Sequence, residues 1–290
     1  MKRLISALLA SAILGGCGKN LAPPSDNTLL PPANLSALSV DSAHVQIVWT
    51  ASPNAADTDF AGYTVSYGAT TDTILKSILT DVAGPLPVGL STFSVRSRRN
   101  NGLTSGAATI TWAPAARFDN PPLTIFEYVQ SIGGVICAVD AGSRTTNPLA
   151  VAIDVAGAPK VDFYMEGFSG QPLQILSASL FSANLNATTF STVTTTSPSL
   201  DAPLAAFPPN STFTLTSVAL SDNTIYYAQV QGDPGEINYI RFHIHLLGGP
   251  YPNRSAEVRI SLQRVSRVAI ASAGGLIPGG DGSSREAIHG

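Results

Sequence analysis

Residues 45–49 read Val-Gln-Ile-Val-Trp, and residues 63–67 read Tyr-Thr-Val-Ser-Tyr. In both stretches every second side chain on one face is apolar, which is the period of a β-strand with one buried face. Short runs around Phe93 and over residues 109–112 alternate in the same way, and clusters of Gly, Pro, Asn and Asp separate the runs. Helical periodicity is almost absent, so the chain is predicted to be all-β.

Residues 33–114 contain several further features of one family of β-sandwiches. These are Pro-Ala-Asn-Leu at 32–35, Trp49, the stretch Gly62–Tyr67, and the stretch Val95–Gly102. With these features the region resembles a fibronectin type III domain. The resemblance implies an immunoglobulin-like sandwich of seven antiparallel strands.

The region departs from the family pattern at the tyrosine corner, where this chain has Ser91. The resemblance therefore implies a looser turn before the following strand, because the tyrosine hydroxyl that usually ties this corner is missing. Trp49 and Tyr63 are interpreted as core side chains, and a sugar-stacking platform is the less favoured interpretation. The sequence contains no Arg-Gly-Asp triplet.

A second series of short apolar runs predicts another β-rich domain over residues 118–270, as a sandwich or a flattened barrel. The predicted strands cover Leu123–Val129, Val135–Ala141, Leu149–Val155, Val161–Glu166, Leu173–Leu180, Phe213–Leu220, Thr224–Gln231, Ile237–Leu247 and Ala256–Val265. Residues 184–209 are rich in Ser, Thr and Pro and are predicted to form a long loop. Residues 271–290 are rich in Gly and Ser and are predicted to be a disordered tail.

Part of this second region resembles the C-terminal half of the HmuY family of haem-binding lipoproteins. The resemblance rests on Val161-Asp162-Phe163-Tyr164, on the stretch from Tyr226 to Leu246, and on a final strand ending in Leu262-Gln263. It implies a small-ligand carrier for a molecule such as haem. The haem ligands of that family have no matching motif position here, so none is carried over.

The N-terminus begins with Lys2 and Arg3 and continues with an apolar run over residues 4–14. About 11 residues are too few to span a bilayer as a helix, but they suit the apolar part of a signal peptide. The run ends in Leu14-Gly15-Gly16-Cys17, which resembles the bacterial lipobox. The resemblance implies a signal peptide at 1–16 and a lipid anchor, palmitate included, on Cys17. An ordinary secretory signal is the alternative.

Residues 17–32 are predicted to be a proline-stiffened tether, because proline pairs favour an extended backbone. The residue after Cys17 is Gly18. In proteobacterial lipoproteins an Asp at this position favours retention in the inner membrane. The resemblance therefore implies a cell-envelope location, in the outer membrane if the source is Gram-negative. Cys137 lies in an apolar stretch and is predicted to be a buried, inert thiol.

Composition argues against two function classes. Charged residues make up 12% of the chain, the formal net charge is −3, and Lys and Arg do not cluster, so nucleic acid is not an expected partner. Nucleophile-elbow, zinc-protease, phosphate-loop and dinucleotide motifs are absent, so the protein is predicted not to be an enzyme.

Asp162 is interpreted as a hydrogen-bonded structural carboxylate. Asp57, Asp59 and the run at 232–235 are interpreted as turn residues.

The strongest candidates for a ligand site lie in two consecutive predicted strands, which residues 248–253 join. Their apolar face carries Ile240, Phe242, Ile244 and Leu246, followed by Val258, Ile260 and Leu262. The other face of the first strand carries Tyr239, Arg241, His243 and His245. The pair is predicted to be a hairpin with a polar outer ladder.

That ladder admits two interpretations. It is either a polar face turned to solvent or lining a ligand, or a metal or haem site. His243 and His245 are two residues apart, about 7 Å on one face, and Glu257 on the next strand is a third candidate ligand. Arg241 and Arg259 disfavour a cation, so the first interpretation is preferred, with no metal and no cofactor expected.

The sequence therefore predicts a lipid-anchored envelope protein with a non-catalytic binding or adhesion role. The type III module acts as a spacer, and the expected partner is a cell-surface protein or a glycan. Two alternatives stay open. One is a small-ligand or haem-binding lipoprotein, and the other is an accessory protein for extracellular polysaccharide processing.

Overall fold

The computed structural model of the 290-residue chain describes residues 28–127, 133–137, 147–153, 161–231, 236–263 and 271–272. About 53% of it is strand and 5% is helix, so the prediction of an all-β sandwich fold is confirmed. Within the described ranges, no helix has both the length and the apolar character needed to cross a membrane. Cys17, residues 18–27 of the predicted tether and the turn at 232–235 lie outside the described residues. Leu29, near the end of the predicted tether, is buried in the core of the first sandwich.

The first seven strands form two facing antiparallel sheets. They are β1 (Ala33–Ser39), β2 (Val45–Thr50), β3 (Phe60–Tyr67), β4 (Thr70–Leu75), β5 (Thr80–Ala83), β6 (Ser91–Arg99) and β7 (Ala108–Trp112). One sheet has the order β1-β2-β5, and the other has the order β4-β3-β6-β7. The strands predicted around residues 45–49, 63–67, 93–97 and 109–112 are all present.

Alternating apolar side chains of both sheets fill the core of this first sandwich. The rings of Trp49 and Tyr63 pack edge to face with their centres 5.4 Å apart, and both side chains are buried. The Tyr63 hydroxyl accepts a hydrogen bond of 3.2 Å from the backbone amide of Ser52. The prediction that these two aromatic residues belong to the core is therefore confirmed.

The strands after Pro114 form a second sandwich. They are β8 (Ala116–Phe126), β9 (Gly134–Ile136), β10 (Leu149–Val151), β11 (Phe163–Glu166), β12 (Gln174–Ser177), β13 (Thr188–Ser191), β14 (Thr195–Thr196), β15 (Phe213–Leu215), β16 (Ser217–Ala219), β17 (Thr224–Gln231), β18 (Ile237–Gly248) and β19 (Ser255–Leu262). One sheet has the order β10-β9-β11-β12-β16. The other has the order β15-β13-β17-β18-β19-β8, with β14 also paired to β17.

Two predictions about this region are wrong. Residues 184–209 are not a single loop, because β13 and β14 lie within them and Phe190 is buried in the core. Thr and Phe suit a pleated, half-buried strand, and the Ser- and Pro-rich flanks hid that preference in the sequence. The predicted strand Phe213–Leu220 divides into β15 and β16, which belong to different sheets.

The two sheets of the second sandwich enclose a core of aromatic and branched side chains. Phe242 from β18 stacks on Phe163 from β11 with ring centres 5.3 Å apart, and on Tyr226 with ring centres 5.5 Å apart. Cys137 is fully buried beside this core, as predicted, and burial raises the pKa of its thiol well above the ordinary value. The thiol is therefore held in its unreactive, protonated form.

Asp162 is the hydrogen-bonded structural carboxylate that the sequence predicted. It is buried, and its carboxylate accepts hydrogen bonds from the Cys137 backbone amide at 2.6 Å and from the Asn186 side chain at 2.9 Å. These bonds tie β11 to two neighbouring segments, so the role of the charge here is structural.

The two sandwiches are packed against each other. The backbones of Ala37 and Leu204 exchange two N–H···O hydrogen bonds of 2.9 Å, so the segment around Leu204 lies beside β1 of the first sandwich. Phe207 and Tyr239 belong to the same buried cluster as Trp49. We refer to residues 195–207 as the strap, because they run between the two sandwiches and contact both.

A short strand after the second sandwich pairs with the first sandwich. Residues Ala271–Ser272 form β20, which pairs with the edge strand β7. The rest of the segment predicted to be a disordered tail lies outside the described residues.

Candidate functional site

The predicted hairpin of β18 and β19 is present. His243 lies opposite Arg259, and His245 lies opposite Glu257. Ile240, Phe242 and their apolar neighbours face the core, so the polar residues of β18 occupy the outer face as expected.

The outer face is not turned to solvent where three of the predicted residues lie. Tyr239, Arg241 and His243 are buried, which corrects the expectation of a solvent-facing ladder. The strap covers two of them, and residue 210 just beyond it contacts the third. Arg241 donates to the Ala202 carbonyl at 2.5 Å, His243 Nε2 lies 2.9 Å from the Ser197 carbonyl, and the Tyr239 hydroxyl donates to Asn210 at 2.8 Å.

Burial sets the charge states of this covered face. Burial lowers the pKa of His243, and although the hydrogen bond to Ser197 opposes this, the net shift is downward. Since a carbonyl oxygen only accepts, Nε2 carries the proton and donates it, while Nδ1 has no hydrogen-bond partner among the described residues. Burial also lowers the pKa of Arg241, but a guanidinium stays protonated at neutral pH.

The other two predicted residues are engaged separately. His245 Nδ1 lies 2.9 Å from a carboxylate oxygen of Asp222, and Glu257 accepts a hydrogen bond of 2.7 Å from Arg259. In the part of the chain that the structure describes, no three His, Cys, Asp or Glu side chains converge in a way that could hold a metal ion. A ligand role for the five residues stays a prediction.

A second candidate surface lies at the opposite end of the same hairpin. Leu262 of β19 pairs with Ala116, next to the first sandwich, whereas Ser255 pairs with Phe126 at the other end of β8. β18 has 12 residues and, at roughly 3.3 Å per residue, spans about 40 Å. The β18–β19 turn thus lies at the end of the hairpin away from Ala116 and the start of the second sandwich.

We call the loops at this end the distal tip, defined as residues 167–172 between β11 and β12 and residues 247–255 between β18 and β19. The tip exposes three large apolar side chains: Phe168 is 60% exposed, Leu247 48% and Tyr251 46%. Phe168 and Tyr251 thus place two exposed rings on adjacent loops, which suggests a contact surface.

One arginine holds the two loops together. Arg254 donates to the buried carboxylate of Glu127 at 2.6 Å, and to the backbone carbonyls of Gln171 at 2.6 Å and Phe168 at 3.2 Å. Its guanidinium also lies 5.8 Å from the centre of the Tyr251 ring. Glu127 is only 1% exposed, and its hydrogen bond raises the pKa of Arg254. Because both partners are largely desolvated, this ion pair fixes the tip geometry.

Two glycines make this arrangement possible. A Cβ atom at Gly167 would overlap the Arg254 guanidinium and lie 2.9 Å from the Glu127 carboxylate. Gly249 has a φ of +111°, which L side chains rarely adopt, and a Cβ there would lie 2.6 Å from the Asn253 carbonyl. Both loops therefore need glycine for close approach.

The sequence contained a partial signal for the tip. Residues 248–253 were interpreted only as a hairpin connection, although Tyr251 stands between two prolines in it. An aromatic residue inside a Gly- and Pro-rich turn has no core to fill, and Phe168 between Gly167 and Ser169 is a similar case. Comparison with protein-family models and with curated proteins finds no match for this chain.

Proposed function

We propose that this protein is a lipid-anchored cell-envelope protein that binds a surface partner through its distal tip, without catalysis. The observation that carries the proposal is the pair of exposed rings, Phe168 and Tyr251, held in place by the buried Glu127–Arg254 ion pair. A rigid apolar surface lowers the entropy cost of association, which favours a binding role.

The arrangement of the sandwiches supports display of the tip away from the anchor. Leu30, near the end of the predicted tether, is hydrogen-bonded to Asn54 and Ser52, which follow β2. The tip lies in the other sandwich, at the end of β19 away from the Leu262–Ala116 pair. The sheet orders β1-β2-β5 and β4-β3-β6-β7 fit a fibronectin type III spacer, and the lipobox-like residues before Cys17 support the anchor.

The haem-binding alternative gains no support from the geometry. His243 is fully buried beneath the strap, and its Nε2 is used by the Ser197 carbonyl. A haem bound through this imidazole would first have to displace the strap. We therefore prefer the binding role at the tip.

The proposal is tested with vesicles of phosphatidylethanolamine and phosphatidylglycerol that carry the full chain. Fluorescent vesicles are incubated with intact bacterial cells that lack the protein, and cell-bound fluorescence is measured. We expect binding above that of empty vesicles, and its loss in the double variant Phe168→Ala/Tyr251→Ala.

Val88→Ala is the matched control, because Val88 is an exposed apolar residue of the first sandwich. Cell binding equal to that of empty vesicles, or binding that the double variant retains, would contradict the proposal. The anchor is tested separately by mass spectrometry of the N-terminal peptide, where acyl chains on Cys17 are expected and should be absent in Cys17→Ser.

A further inference from the structure

The distal tip has almost no free charge. Arg254 is the single charged side chain within residues 167–172 and 247–255, and it is neutralised by Glu127. A charged ligand would therefore find no unpaired opposite charge on the tip. This favours a neutral partner.

Uncharged polar side chains surround the two rings. Ser169, Gln171 and Asn253 are exposed, and each offers a hydroxyl or an amide that can both donate and accept hydrogen bonds. The tip thus combines flat apolar faces with a rim of uncharged hydrogen-bonding groups.

A pyranose ring has the complementary chemistry. Its axial C–H groups form an apolar, weakly positive face that fits the negative face of an aromatic ring, while its hydroxyls project sideways. Amide and hydroxyl side chains at the rim of the tip suit those hydroxyls. A purely apolar protein surface would pack against the rings but would form no hydrogen bonds with the polar side chains of the rim.

We propose that the distal tip binds a neutral glycan, with sugar rings packed on Phe168 and Tyr251. This inference rests on the proposed binding function and names its class of ligand. The buried ion pair holds both aromatic residues before the glycan arrives, and Arg254 contacts the Tyr251 ring as a cation against its π system.

The experiment uses the same full-chain vesicles and beads coated with dextran, yeast mannan, hyaluronan or serum albumin. We expect retention on at least one neutral polysaccharide, weaker retention on hyaluronan, and none on albumin. Phe168→Ala and Tyr251→Ala are each expected to weaken retention about tenfold, the size of one lost aromatic contact.

Phe168→Leu and Phe168→Tyr separate ring stacking from general apolar contact. Leucine keeps most of the apolar area but has no flat face, so it should weaken glycan binding nearly as much as alanine does. Tyrosine keeps the flat face and should retain binding. Equal retention by the leucine variant and the unmodified chain would overturn the glycan assignment.

Failure of the inference is distinguishable from failure of the proposed function. Vesicles that bind cells through the tip, but bind no neutral polysaccharide and bind periodate-treated cells equally well, would overturn the glycan and leave the binding function intact. Stronger retention on hyaluronan than on any neutral polysaccharide would also overturn it. Vesicles that bind neither cells nor beads would overturn both.

Discussion

The outer face of β18 and the distal tip both contain residues of the β18–β19 hairpin. The two regions differ in which of their side chains are buried. On the outer face, Arg241 and His243 bond to backbone carbonyls of the strap and are buried. At the tip, the polar pair Glu127–Arg254 is the buried part, and the apolar rings are exposed. On the outer face, the polar side chains hold the two sandwiches together. At the tip, a buried polar pair holds apolar rings at the surface.

This difference shows that residue type alone does not locate a site. The histidines and arginine of β18 have the chemistry of a ligand site, yet the strap makes them part of the contact between the sandwiches. The rings at the tip have no reactive chemistry, yet they are the groups available to a partner. Variants in each of the two regions test this difference.

Among the variants at the tip, the largest effect is expected from Arg254→Ala. It leaves the Glu127 carboxylate buried without its cation, so we expect the free energy of unfolding to fall by about 3 kcal/mol. Urea unfolding of the purified chain measures this. Arg259→Ala, in the strand β19 that follows Arg254, is the matched control, because its ion pair with Glu257 is partly exposed and should contribute less than about 1 kcal/mol. Similar losses in the two variants would show that the Glu127–Arg254 pair does not fix the tip.

A smaller effect is expected from Gly167→Ala. The added Cβ displaces the guanidinium of Arg254, and such overpacking typically costs about 1–3 kcal/mol. Vesicle binding should fall with stability, because the loop that carries Phe168 moves with the arginine. Gly170→Ala is the control at the same loop. A Cβ there meets nothing within 4 Å, although its φ of +76° adds some backbone strain. Binding in Gly167→Ala equal to that of the unmodified chain would mean that loop position is unimportant.

The alternation of apolar residues predicted most of the fold. β17 has the predicted bounds of Thr224–Gln231, and the core positions Trp49 and Tyr63 are where the pattern placed them. This succeeds because a strand with one buried face records that face in its own sequence.

The two candidate surfaces were less predictable because their contacts are distant in the chain. Arg241 and Ala202 are 39 residues apart, and Arg254 and Glu127 are 127 residues apart. The strap reads as a Ser-, Thr- and Pro-rich loop, and no local pattern says which strand it will cover. Whether the outer face of a strand is buried therefore depends on how the two sandwiches pack, which the sequence of that strand does not indicate.

The covered face predicts a dependence of stability on pH. Burial lowers the pKa of His243 in the folded protein, and Arg259 and His245 lower it further, while the Ser197 carbonyl and Asp222 oppose them. The folded state therefore binds this proton less readily than the unfolded chain, whose histidine titrates near 6.5. Stability should be full above pH 6.5 and should fall below it, by up to about 1.4 kcal/mol per pH unit for one proton.

Urea unfolding at pH 7.5 and pH 5.0 measures this effect, and His243→Gln is the informative variant. Its side-chain amide can still donate to Ser197 but does not titrate, so the dependence in this range should become flatter. His245→Gln is the control, since that side chain is partly exposed and does not contact the strap carbonyl. If the free energy of unfolding of His243→Gln depends on pH as strongly as that of the unmodified chain, groups other than His243 cause the dependence.

The smallest effect on stability is expected from Phe168→Ala, and this small effect is the sharpest test of the comparison. The ring is 60% exposed, so its removal should change the free energy of unfolding by no more than about 0.5 kcal/mol. Phe242→Ala, at a buried ring of β18, should instead cost about 3–5 kcal/mol. A stability loss of several kcal/mol in Phe168→Ala would make the exposed ring a structural residue. The tip would then resemble the covered face of β18 in using its side chains for packing.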